Sequence, residues 1–155
     1  MTDSQSPNRV DGQEVATHLR PLLPHLLALA LNGKQAHWHV RGRHFTPVHE
    51  QLDTLVADAR QYADDVAERV VALGVPVDGR AHTVAEAEPS FPEGFLSDDK
   101  VLSLIVEQLD AVIARAREAL SPLEGVDLVS QDLVIEILST LEKHRWMFEA
   151  QTEAG

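Results

Sequence analysis

Apolar positions along this 155-residue chain recur at the three- and four-residue spacing of helices rather than the alternation of strands. Val15, Leu19, Leu22, Leu23, Leu26, Ala30 and Gly33 lie on one face of a first helix spanning about residues 12 to 40. Pro21 and Pro24 interrupt it, and the spacing on either side favours an early start with a bend over a start at Arg20. After the short Arg41-Gly42-Arg43-His44 connection, Val48, Leu52, Leu55, Ala59, Val66, Ala67 and Val70 trace a second helix to about Leu73, with Gly74 as its C-terminal cap. Residues 75 to 94 carry too many prolines and glycines for a long helix, although Thr83 to Glu88 suits a short one capped by Thr83. Ser97 opens a third long helix through Leu102, Ile105, Leu109, Val112, Ile113, Ala116 and Leu120, which Ser121-Pro122 should stop. Asp127 caps a fourth, through Val134, Leu138, Leu141 and Phe148 to about Ala150.

Long helices joined by a short, a long and a short link describe an all-α four-helix bundle with one long crossover, two helical hairpins packed together. The expected organisation is a disordered tail over 1–11, the bundle over 12–150 and a short tail over 151–155. A 44% apolar content with only 5% aromatics suits a core of Leu, Val and Ala. With no cysteine, disulfides, thiolate metal sites and thiol nucleophiles are excluded. The apolar runs are too short to span a membrane, and a cytoplasmic protein is expected. A formal charge of −12 repels nucleic acid unless a basic tail overrides it, and attracts cations.

Charge draws attention to the second helix. At about 100° per residue, His49, Asp53, Asp64 and Glu68 fall at about 0°, 40°, 60° and 100°, on one face. His37, about four residues before the turn, comes level with His49, about five or six after it, in an antiparallel hairpin. Imidazoles and carboxylates on one surface suit a hard or borderline divalent metal. Asp53 and Asp64, however, are roughly 16 Å apart along a helix axis. A twofold axis near Asp58 and Ala59 would set His49 and Asp53 of one chain against Asp64 and Glu68 of another, giving a site shared between subunits. Asp65 reads as surface, and His18, His25, His39, His82 and His144 lack carboxylates at the needed spacing. No histidine has Glu three positions before it, so the Glu-x-x-His of di-iron bundles is missing. His49-Glu50-Gln51-Leu52-Asp53 falls short of a zinc-peptidase motif at its last position, which leaves a mononuclear zinc hydrolase as a minor alternative.

The block Lys34-Gln35-Ala36-His37-Trp38-His39-Val40-Arg41-Gly42, with Phe45, His49, Asp53, Asp64, Ala67-Glu68-Arg69 and Leu73-Gly74, resembles the Dps family of mini-ferritins. The run from Asp127 to Leu133 and Lys143-His144-Arg145-Trp146-Met147 resembles that family's last helix. The resemblance implies a ferritin-like fold, a hollow shell of twelve subunits, and ferroxidase sites binding iron at twofold interfaces. By position, His37, His49 and Asp53 would come from one subunit, and Asp64 and Glu68 from its partner. Trp38 would stand beside the iron, and Asp132, with Asp127 as a weaker candidate, would line an entry pore. Hydrogen peroxide would oxidise Fe2+, and ferric mineral would be stored inside the shell. His39 and Arg43-His44 depart from the usual family residues and leave the proposed ligands intact. The alternative function is non-enzymatic DNA binding in the nucleoid under stress. It is disfavoured because the N-terminal tail offers only Arg9 and the C-terminal end is acidic.

Overall fold

Pro21 lacks the N–H that would continue a helix, and its ring crowds the carbonyl one turn back. In a computed structural model, which describes residues 10–87 and 90–152, the first helix is accordingly divided into α1 (Gly12–Leu19) and α2 (Leu22–His39). Arg20 N–H still closes on Ala16 O at 2.9 Å, and Pro24 sits in the first turn of α2, where no N–H is needed. The expected early start and bend are both present. The outer parts of the expected tails, 1–9 and 153–155, lie outside the described residues. Asp11, expected in the tail, is ordered as the N-cap of α1 and accepts Gln13 and Glu14 N–H.

The α3 helix (Phe45–Ala72) runs 28 residues without a break. It ends where Gly74, at φ +87°, adopts the left-handed conformation expected of a cap. In the crossover, α4 (Ala81–Ala87) begins before Thr83. The Thr83 hydroxyl donates to Asp78 at 2.7 Å instead of capping the helix. Ser97 caps α5 (Asp98–Glu124) as expected, accepting Lys100 N–H at 3.2 Å.

Pro122 does not stop α5; it lies inside the last turn. Near a helix end it forfeits little hydrogen bonding, while the extra turn delivers Leu123 into full burial. Asp127 caps α6 (Leu128–Glu149).

The α2–α3 and α5–α6 hairpins pack together as the link lengths imply. Val15, Leu19, Leu26, Leu52, Leu55, Val66, Ile105, Leu109, Leu141 and Phe148 form the sealed core. Ala67, Ile113 and Leu120 sit only at its margin. One element escaped the sequence pattern. Val40–Arg41 (β1) and Leu96–Ser97 (β2) form a two-residue parallel bridge that ties the α2–α3 turn to the start of α5. Among the described residues no helix is long and apolar enough to cross a membrane.

Candidate metal centre

The α2–α3 hairpin stacks the His37 and His49 rings, with centroids 3.6 Å apart and planes at 11°. His37 Nδ1 lies 2.6 Å from the His49 carbonyl oxygen, and His49 Nδ1 lies 2.7 Å from the His37 carbonyl oxygen. A carbonyl only accepts, so each Nδ1 carries the hydrogen and donates it. In the neutral rings this leaves both Nε2 lone pairs bare, the tautomer a metal-ligating histidine needs. Phe45 stacks on His49 at 4.8 Å and backs the pair.

Asp53 follows one turn after His49, at the side of an open groove lined by His37, His49, Glu50, Asp53, Thr54, Ala57 and Asp58. Lys34, one turn before His37 on α2, donates to Asp53 Oδ1. That bond, helped by the Lys34 charge and the two imidazoles, holds the Asp53 carboxyl below its usual range. An ammonium thus occupies a carboxylate proposed as a ligand.

Asp64 and Glu68 are exposed on α3 beyond this groove, and Asp64 borders a separate shallow cleft with Arg60, Ala67 and Gly79. Among the described residues of one chain, no three His, Asp or Glu side chains are grouped so as to hold a metal ion. A single subunit therefore presents His37, His49 and Asp53 along one groove without gathering them into a metal-holding group, and Asp64 and Glu68 apart from them.

The turn between the histidines is clamped from outside the hairpin. Asp98, at the start of α5, accepts His44 N–H at 2.9 Å and Asp99 N–H at 2.8 Å, which holds its carboxyl below the ordinary range despite burial. Gly42 has φ +133°, and a Cβ there would lie 2.7 Å from Asp98 Oδ2, so both backbone and space require glycine. The His44 ring approaches Asp98 at 3.5 Å, while His39 Nδ1 donates to Gln35 O at 2.8 Å; neither lines the groove.

Trp38 is 63% exposed on the single chain. Asp132 is exposed as the fifth residue of α6, where its first turn meets its second. Asp127 differs from it sharply. It is 7% exposed, accepts the Arg69 guanidinium and the Ser130 hydroxyl, and caps α6 through Ser130 N–H at 3.2 Å. Burial would push its carboxyl up, but Ser130 and Arg69 more than offset that and hold it low. All three of these bonds land on Asp127 Oδ2, so that oxygen is engaged within its own subunit.

Lys34, Asp98 and the buried His144, which meets Asp58, were not found from sequence. Lys34 carried a local signal, since it shares a face of α2 with His37. Asp98 and His144 meet partners far along the chain and carried none.

The ferritin-like domain model matches residues 16–154 of this helical bundle, which places it among the ferritin-like proteins. The chain belongs to the Dps family of ferritin-like proteins. It is 37% identical to DNA protection during starvation protein 2 of Deinococcus radiodurans over 85% of this chain and 56% of that one, so it spans little more than half that relative's length. It is 34% identical to the DNA protection during starvation protein of Mycolicibacterium smegmatis, over 100% of this chain and 87% of that protein. The structure of Dps from Microbacterium arborescens in its high iron form superposes with a TM-score of 0.88 at 41% identity, covering 95% of this chain and 97% of that one.

Proposed function

We propose that this protein is an iron-oxidising and iron-storing mini-ferritin whose metal centres lie between subunits of a hollow, twelve-chain shell. Membership of the Dps family supports iron storage and protection of DNA in starvation. The observation that carries the finer reading is the reciprocal histidine pair, in which each Nδ1 is taken by a carbonyl so that Nε2 keeps the lone pair of the neutral ring, with a carboxylate one turn away.

His37, His49 and Asp53 hold Fe2+ from one side, and Asp64 and Glu68 of the partner subunit complete the site. A mixed nitrogen and oxygen donor set suits Fe2+. Lys34 releases Asp53 as the cation arrives, exchanging one positive charge for another beside the same carboxylate. Open positions on the metal admit hydrogen peroxide. Two Fe2+ each give one electron to one peroxide, so the O–O bond breaks without releasing hydroxyl radical, and the ferric product hydrolyses to mineral inside the shell. Removing both reagents of radical chemistry is how such a protein protects DNA without holding it. Exposed Trp38, next to His37, is placed in sequence to intercept stray oxidising equivalents, and Asp132 is the acidic candidate for the entry pore.

His49→Ala and Asp64→Ala should each slow anaerobic oxidation of Fe2+ by peroxide while the shell still assembles. Wild-type rates in both assembled variants would sink the site assignment. With a net charge of −12, salt-resistant retardation of DNA is not expected, and observing it would revive the nucleoid reading.

A further inference from the structure

His144 is 4% exposed on α6, and its Nε2 lies 2.6 Å from Asp58 Oδ2 on α3. An ionised carboxylate only accepts, so Nε2 carries the hydrogen, and in the neutral ring Nδ1 is left as a lone pair. That Nδ1 is buried with no hydrogen-bond partner. Burying an unmet nitrogen is unfavourable, and phenylalanine would fill the space without that defect. Packing therefore does not account for a histidine here; the bond to Asp58 does.

Asp58 faces two ways. Its side chain is 40% exposed and borders the same groove as His37, His49 and Asp53, while its other side is held by His144. Along α3 it also falls midway between Asp53 and Asp64, the inner ligands of the two half-sites. The bond belongs to a series joining α3 to the segment around α6. Gln151 donates to Gln51 at 2.6 Å, and Tyr62 and Thr140 share a hydrogen bond of 2.7 Å. Each step forward along α3, from Gln51 to Asp58 to Tyr62, is matched by an equal step backward, from Gln151 to His144 to Thr140. The series fixes one antiparallel register between helices of different hairpins, and the Asp58–His144 bond is its charged member.

We propose that His144 is a positioning residue for the metal centre, acting through Asp58 to hold the middle of α3. This rests on the shared-site reading, in which each α3 supplies ligands to two centres at once. A shift at the middle of α3 changes the distance between its half-sites and so disturbs both centres of a dimer. His144 itself touches no metal.

The test uses cobalt(II), a coloured and redox-stable probe, titrated into assembled wild-type protein and into Asp58→Ala, His144→Phe, His144→Gln and Asp64→Ala variants. Asp58→Ala and His144→Phe should each weaken cobalt binding about tenfold, in keeping with the lower end for one lost charge-assisted hydrogen bond. Their combination should be no weaker than either alone. His144→Gln, which keeps an N–H donor toward Asp58, should recover most of the affinity. Weakening in Asp58→Ala with wild-type binding in His144→Phe would show that Asp58 acts on the metal directly, and would overturn the proposal. Wild-type binding in both, with loss in Asp64→Ala, would overturn it and leave the shared site standing. Wild-type binding in Asp64→Ala would remove the shared site, and this proposal with it. Should His144→Phe fail to assemble, Asp58→Asn against Asp58→Ala decides. The asparagine keeps an acceptor for Nε2–H and should bind like wild type, and equal weakening of the two would count against the proposal.

Discussion

His37 and His49 illustrate how a backbone selects a tautomer. Each ring donates to the other residue's carbonyl, so the hairpin that brings them level also leaves both Nε2 lone pairs bare. Their pairing was legible in the sequence because it depends only on similar short separations from one turn. Asp53 was legible as well, one turn along the same face. What surrounds them was not. Lys34 reaches Asp53 across 19 residues, Asp98 reaches the turn across 54, and His144 reaches Asp58 across 86. Such bonds follow from how hairpins pack, and no local spacing announces the last two. The Lys34 contact makes a direct prediction. Lys34→Gln removes the hydrogen bond that lowers the Asp53 carboxyl, so the titration of Asp53, followed by carbon NMR, should move up toward the ordinary carboxylate range near 4. The same variant should bind cobalt(II) more tightly, since no ammonium then competes for the carboxylate. An unmoved Asp53 titration would show that Lys34 does not control that group in solution.

At the level of elements, helix ends decided where expectation and structure agreed. Ser97 and Asp127 cap α5 and α6 as the sequence indicates, because a side-chain oxygen before an apolar run is a local signal. Pro122 misled, since a proline near a helix end is read as a stop while the burial of Leu123 is a property of the assembled core. The β1–β2 bridge was invisible for the same reason, as two residues make no pattern. Asp127 joins elements as well as capping one, because Arg69 near the end of α3 binds it. Asp127→Ala should therefore lower stability by about 1–2 kcal/mol, measured by denaturant unfolding, from loss of the cap alone. The pH dependence follows from the same groups. Asp98 and Asp127 have lowered folded values, so their contribution is fully present above the unfolded carboxylate range and is lost as pH falls through the folded values. The melting temperature should hold from neutral pH down to about 4 and fall below it, with a shallower fall in Asp98→Asn and Asp127→Asn. Gly42→Ala should cost about 1–3 kcal/mol by combining a left-handed backbone with a contact against Asp98. Because that turn separates the histidines, its cobalt affinity should fall too.

At the scale of the whole molecule, the proposed function has α3 carry two incomplete sites. His49 and Asp53 lie near its start and Asp64 and Glu68 lie roughly 16 Å further on, so no fold of one chain closes them on a single metal. An antiparallel pairing of two α3 helices closes both at once, and this predicts complementation between inactive variants. His49→Ala subunits keep Asp64 and Glu68, and Asp64→Ala subunits keep His37, His49 and Asp53. Assembled separately, each variant breaks every centre. Unfolded, mixed in equal amounts and refolded together, they form a mixed dimer in which one centre receives both mutations and the other receives neither. Random pairing then leaves about a quarter of all centres intact, because each centre draws its halves independently from two chains. Anaerobic oxidation of Fe2+ by peroxide should recover to about that fraction of the wild-type rate, while a simple mixture of the two preassembled variants stays inactive. A site contained within one subunit makes the opposite prediction, since every chain in the mixture then carries a broken site and coassembly restores nothing.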